Sequence, residues 1–507
     1  METEFLARLQ FAFTIMFHYI YPPLSIGLGV ALVIMEGIWL RTGNVLYHNM
    51  ARFWTRVFAL TFSIGVATGI VMEFEFGTNW ATYSRFVGDI FGSALAAEGI
   101  FAFFLESGFL AVLLFGWNKV GPKMHFFATC MVCLGSHFSA VWIVVANSWM
   151  QTPAGYHLEK MGPNGANVRL PADYVLQPAD LTTVRAVVDD FWAMVFNPSS
   201  IDRLTHTILG AWMAGAFLVL SISAFYLLRK RHTDFAVASL KVGLVFASVA
   251  TILQMISGDS TAKGVVRNQP IKLAAIEGVY KTEPYTPLTL FGYVDPKTQT
   301  VHGPQIPGML SFLCYMDFQK PVIGLNEQPS DTYLKARYPT ATPEQLPEIR
   351  KRYWPIVPLV FQTYHLMIGI GGACLGLVLA GLFLWWKGWL FDTERKLTRW
   401  YLIALVFSVI GPQVANQAGW LTAELGRQPW IVYGLLKTSQ GLSKVVTANQ
   451  ILFSLILFAM VYLLLFAVFI YLLTRKIQHG PETEEESEEM PESWRQLIVE
   501  TEKAPRA

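Results

Sequence analysis

Nine apolar runs, each near the length that crosses a lipid bilayer, dominate this 507-residue sequence: about 11–39, 52–75, 94–116, 126–148, 205–228, 236–256, 357–386, 399–419 and 450–474. Hydrocarbon offers no water to backbone N–H and C=O groups, so spanning segments must be helices or closed barrels, and runs of roughly 20 residues are too long for barrel strands. The expected fold is an all-α polytopic membrane protein with nine transmembrane helices. A content of 53% hydrophobic and only 15% charged residues agrees. The net charge of +2 is scattered over loops, with no basic stripe for nucleic acid. The first run is of full spanning length and lacks a basic leader, so no cleavable signal peptide is expected.

An odd number of spans puts the two termini on opposite sides. Arg41, Arg52 and Arg56, then Lys119 and Lys123, Arg229, Lys230 and Arg231, Lys387, Arg395, Lys396 and Arg399, and Arg475 and Lys476 all fall on one side. By the positive-inside rule that side is cytoplasmic, which makes the N-terminus extracytoplasmic and the C-terminus cytoplasmic. Helices one to six then occupy 1–256, with an outer loop at about 149–204, and helices seven to nine occupy 357–474. The outer segment 257–356 is long enough to carry function of its own. The tail 475–507, with Glu482, Glu484, Glu485, Glu486, Glu488 and Glu489, reads as solvated and disordered. No inverted repeat of the transporter kind is evident.

A charged group at membrane depth costs roughly 3 kcal/mol on insertion scales, so each one needs a reason. His18 lies inside the first span, where an imidazole suits an axial iron ligand or a proton relay. Glu73 and Glu75 end the second span and could be solvated there. Glu98 and Glu106 in the third span are eight residues apart, which on a regular helix is about 80° of rotation and roughly 12 Å of rise. They read as a stepped proton path, extended by Ser107, Ser139 and His137. His206 opens the fifth span, while His365 and Met367 lie in the seventh and point away from each other. One of that pair could complete a haem site with His206; a His/Met pair gives a low-spin haem suited to electron transfer.

The cysteines are Cys130, Cys133, Cys314 and Cys374; the C-x-x-C pair is followed by Leu134, not the His of covalent haem attachment. Packing is the expected role of Cys130 and Cys133, and any haem would be held without thioether bonds. The eighth span ends in Gly419-Trp420-Leu421-Thr422-Ala423-Glu424-Leu425-Gly426-Arg427-Gln428-Pro429-Trp430. Glu424 and Arg427, three apart, could form an ion pair or grip one ligand.

These residues resemble subunit I of the cytochrome bd family of quinol oxidases over nearly the whole chain. The matching stretches are Arg8 to Ala12 with His18, Gly65 to Trp80, Ala97 to Gly99, Phe104 to Ser107, Trp142 to Gln151 and Gly426 to Trp430, in the family's order on a nine-span layout. The resemblance implies that His206 and Met367 hold a low-spin haem b, and that His18 and Glu424 hold two high-spin haems, one a haem b and the other a haem d or a further haem b. Which of His18 and Glu424 serves which haem stays open. It implies that Lys272 and Glu277 bind quinol in the long outer loop, called the Q loop, and that Trp420 stands between haems. Arg427 would neutralise a propionate or a buried carboxylate, and Glu98, Glu106, Ser107 and Ser139 would conduct protons. His365 departs from the arginine many members carry, and the loop is of the short branch, which includes cyanide-insensitive-like variants. Implied partners are quinol, O2, a second large membrane subunit, a single-span small subunit and membrane lipid, in a bacterial or archaeal cytoplasmic membrane. The rival readings are a proton-coupled secondary transporter and a haem electron-transfer subunit without oxygen chemistry.

Overall fold

The computed structural model describes residues 2–162 and 166–481; the acidic run from Glu482 onward lies outside them. Among the described residues eight helical stretches are long and apolar enough to span a membrane, and a ninth is made by a bent pair. The first span is two helices, α1 (Thr3–His18) and α2 (Tyr21–Thr42). Pro22 and Pro23 have no N–H to give to the carbonyls of His18 and Tyr19, and the helix breaks there. Next come α3 (Val45–Thr78), α4 (Gly88–Glu98), which runs through a π-helical turn (Gly99–Phe103) into α5 (Phe104–Phe115), and α6 (Pro122–Gln151). A three-stranded antiparallel sheet follows, β1 (Tyr156–Met161), β2 (Asn167–Arg169) and β3 (Val184–Val188), in the order β2-β1-β3.

Helices α7 (Ser200–Leu228) and α8 (Thr233–Asn268) pack as a pair. The sequence puts the end of the sixth span near residue 256, yet α8 runs to Asn268, because polar residues end a span without ending a helix. Short helix α9 (Pro270–Glu277) opens the Q loop, which continues through the pairs β4 (Leu288–Thr289) with β7 (Gln305–Ile306) and β5 (Tyr293–Asp295) with β6 (Thr300–His302). The loop has apolar cores of its own: Tyr280, Val294 and Leu325 pack on Val357 and Phe361, and Ile276, Leu310 and Val322 on Val360. The last spans are α10 (Val357–Trp386), the pair α11 (Lys396–Phe407) and α12 (Ile410–Leu425) bent by 42°, and α13 (Ala448–His479). A small hairpin, β8 (Trp430–Val432) with β9 (Leu436–Lys437), separates α12 from α13.

The main core lies where α2, α3, α7 and α8 meet, around Met35, Trp39, Phe53, Trp54, Phe58 and Phe217. The most apolar stretch of α7 is 83% buried, against 17% along α4 and α5 and 11% along α13, so α7 is central and the other two turn apolar faces outward.

Candidate functional site

Helix α12 organises the polar interior. Gln413, Gln417, Trp420 and Glu424 recur at spacings of four, three and four, which lines them up on one helical face. That face meets the break in the first span. Ile20 N–H bonds to the carbonyl of Phe17 instead of Met16, and Gln417 Nε2 donates to the freed Met16 carbonyl at 2.7 Å. Gln413 Nε2 donates to the carbonyl of Ile20 at 3.2 Å, and the Trp420 ring stands edge-on to Tyr19 at 5.5 Å. His18 closes α1 at this break, its Nδ1 3.0 Å from Thr68 Oγ1. A Cβ at Gly69 would sit 3.2 Å from His18 Cε1, so a glycine there lets the imidazole lie flat on α3.

Four helices form a ring beside it: α7 packs on α8, α8 on α10, α10 on α12, and α12 back on α7. His206 on α7 has Gln254 Nε2 of α8 within 3.1 and 3.3 Å of its two ring nitrogens. Met367 on α10 faces α12, where a Cβ at Gly419 would come to 3.0 Å from its sulfur. His365 is engaged elsewhere: its Nδ1 is 2.9 Å from the Phe361 carbonyl and its Nε2 3.0 Å from the Thr289 carbonyl, tying α10 to β4. Its side chain is therefore a strap on the Q loop.

At the end of α12, Glu424 collects donors. Oε2 takes Arg427 Nη2; Oε1 takes Asn147 Nδ2 at 3.1 Å and Gln151 Nε2 at 3.3 Å. Asn147 Oδ1 in turn accepts from Arg203, and Gln151 Oε1 from Lys272 Nζ at 2.6 Å. The sequence leads to Arg427 and, in the stretch Trp142 to Gln151, to the two amides; that they meet Glu424, and that Arg203 joins them, is found only through packing. A carboxylate offers about four lone-pair sites, so one on Oε2 remains after these three donors.

Lys272 and Glu277 are both buried on α9, but five residues is about 140° of helix, and the two diverge. Lys272 turns to α6 and the Glu424 cluster; Glu277 turns to Tyr364 on α10. Burial, with Arg203 and Arg427 adding positive charge nearby, pushes Lys272 well below the usual lysine range against the opposing pull of Glu424. Burial pushes Glu277 up to about 7 even though a hydrogen bond with Tyr364 opposes it.

The acid line of the third span differs from a regular helix. The π turn between Glu98 and Glu106 advances fewer degrees per residue, which takes up the offset of roughly 80° expected on an α-helix. Ser139 Oγ donates to Glu98 at 2.6 Å. Glu106 is buried and takes a hydrogen bond from Ser136, which the sequence reading missed, although Ser136 sits three residues before Ser139 on the same face. Ser107 is exposed and its hydroxyl donates to its own helix, at the Phe103 carbonyl. His137 is occupied elsewhere as well, between the Cys133 carbonyl at 2.7 Å and Trp212 Nε1 at 2.9 Å. Glu75 is buried and takes Thr14 Oγ1 at 2.7 Å, while Glu73 is exposed. A further buried acid, Glu36, binds His125 Nδ1 at 2.7 Å and Thr129 Oγ1 at 2.6 Å.

The family model for cytochrome bd terminal oxidase subunit I matches residues 6–481. The chain belongs to that family. A cytochrome bd ubiquinol oxidase subunit 1 of Bacillus subtilis is 36% identical over 484 residues, covering 94% of each chain. A cytochrome bd-II ubiquinol oxidase subunit 1 of Escherichia coli is 34% identical over 522 residues, covering 94% of this chain and 96% of that one. The solved bd oxidase of Geobacillus thermodenitrificans superposes with a TM-score of 0.78 at 26% identity, over 95% of this chain and 99% of the other. This subunit is accordingly a multi-pass membrane component of a terminal oxidase, and the family implies haem.

The residues present fit that group. Arg427 Nε and Nη1 and Arg203 Nε are buried without a partner, as suits cations that face carboxylate-bearing ligands. Among the described residues no three His, Cys, Asp or Glu side chains converge. His18, His206, Met367 and Glu424 each offer a single donor, which is what iron already held in a macrocycle would take.

Proposed function

We propose that this subunit oxidises membrane quinol and passes the electrons to O2, forming water, as a quinol:O2 oxidoreductase alongside a second large subunit and a single-span small one. Support comes from the full-length family match together with one local observation: buried, unpartnered guanidinium N–H groups surround a carboxylate that keeps one lone pair free. His206 and Met367 would hold a low-spin haem b. His18 and Glu424 serve two high-spin haems, a haem b and either haem d or a further haem b. When bound, the haems carry electrons from quinol to oxygen.

The protein's own groups bind, orient and move protons. Lys272 holds a quinone oxygen, and Glu277, poised near neutrality, takes a quinol proton and releases it on the Q-loop side. His365 straps β4 to α10 and so fixes the loop over its site. Trp420, against Tyr19, keeps the break at His18 packed against α12. Glu98 with Ser139 and Glu106 with Ser136 hold and hand on protons for water formation. With the basic loops cytoplasmic, the two half-reactions draw on opposite sides, and proton motive force arises without a pump. The test is the reduced-minus-oxidised spectrum of the purified complex, its pyridine haemochrome and its quinol-driven oxygen uptake. His206→Ala should remove the low-spin signal and His18→Ala only high-spin ones; a colourless preparation would overturn the reading.

A further inference from the structure

Lys272 and Glu424 do not touch; one buried amide stands between them. Gln151, at the end of α6, is 1% exposed. Its Oε1 accepts from Lys272 Nζ at 2.6 Å and from Gln269 Nε2 at 3.0 Å, and its Nε2 donates at 3.3 Å to both Glu424 Oε1 and the Ala423 carbonyl. Only one orientation of the amide satisfies this set. Ammonium and amide N–H groups can only donate, so they need the oxygen; a carboxylate and a carbonyl can only accept, so they need the nitrogen. Gln269 Nε2 also donates at 3.0 Å to the backbone carbonyl of Gln151, which locks the residue in place. The lysine stem crosses the end of α12 over Gly426, where a Cβ would meet Lys272 Cγ at 2.9 Å and Cε at 3.2 Å.

We infer that Gln151 is a positioning residue that couples the quinol pocket to the oxygen-side ligand, so that occupancy beside Lys272 is felt at Glu424. The inference rests on the reading above that Lys272 meets quinol and Glu424 meets iron. No other uncharged side chain of this length presents an acceptor to one group and donors to the other. Methionine would fill the space and leave Lys272 buried without an acceptor. Glutamate would keep that acceptor but turn a like charge on Glu424. By linkage the coupling runs both ways: a group bound at Glu424 and one bound beside Lys272 change each other's affinity by the same factor.

The test uses the intact oxidase complex and a quinol mimic, a 2-alkyl-4-hydroxyquinoline N-oxide, titrated while the high-spin haem absorbance is followed. In the unaltered enzyme the mimic should shift the high-spin band. Gln151→Met should abolish that shift, raise the quinol KM about tenfold, as for a lost buried hydrogen bond to a charge, and leave the low-spin band in place. Gln151→Glu retains an acceptor for Lys272, so its KM should rise less than that of Gln151→Met while its high-spin band moves more. This ordering decides the matter even if the methionine variant fails to assemble its haems, because Gln151→Glu then stands against the unaltered enzyme with a perturbed band and a smaller than tenfold KM change. A persistent shift in Gln151→Met, no shift in the unaltered enzyme, or an equal or larger KM effect in Gln151→Glu overturns the assignment. Lys272→Met separates the two readings: unchanged quinol KM and mimic affinity there defeat the quinol-pocket reading itself. Weakened binding in Lys272→Met with a persistent shift in Gln151→Met defeats only the coupling.

Discussion

Glu424 and Glu106 are both carboxylates in the spanning part of the chain, yet their surroundings are opposite. Glu424 meets a guanidinium directly and two further cations through amides. Glu106 meets the hydroxyl of Ser136 on a helix whose neighbouring residues face outward. On the proposed function, the cations around Glu424 suit a ligand and the lone hydroxyl beside Glu106 suits a proton carrier, a difference in surroundings that residue spacing alone does not reveal.

The sharpest way to break this contrast is to remove each acid and read the spectrum beside the turnover. Glu424→Ala should lose oxygen uptake by about 100-fold or more together with a high-spin haem signal, as loss of a ligand does. Glu106→Gln should slow uptake by about 100-fold, the scale of a lost proton-transfer group, with every haem band intact. Retained bands in the first variant, or altered bands in the second, would erase the distinction. Glu277 offers a third comparison, an acid at the loop end that should titrate during function. It accepts a quinol proton only when ionised, and its value of about 7 means that kcat/KM should fall about tenfold per pH unit below 7 and level off above. Glu277→Gln should flatten that acidic limb. The smallest effect separates two hydroxyls: Ser136→Ala should slow turnover about threefold, in keeping with one hydrogen bond, and Ser107→Ala less than about twofold.

The helical fold could be read directly, because hydrocarbon leaves an apolar run of spanning length little choice of structure. His18, His206, Met367 and Glu424 stand out as ionisable or sulfur-bearing residues in or at the end of apolar spans, but their assignment to haem comes from the family resemblance, not from residue type. Three features do not stand out. The π turn depends on backbone geometry that no side-chain pattern announces. Asn147 and Gln151 on α6 and Arg203 on α7 come together only where those helices meet α12. The divergence of Lys272 and Glu277 was open to derivation from a spacing of five, but a shared role suggested by resemblance obscured it. The break after His18 was legible too, since two successive prolines remove two helical donors.

That break bears on how the protein is assembled. The Met16 carbonyl finds its donor in Gln417, 401 residues further along the chain. Until the eighth span has been made and inserted, the first cannot complete its hydrogen bonding in lipid at the break that follows His18. Assembly should therefore follow an order in which the first span is among the last to settle, once α12 has arrived. A chain truncated before residue 410 would still thread most of its spans and hold His18 against Thr68 on α3, yet leave the Met16 carbonyl without its donor.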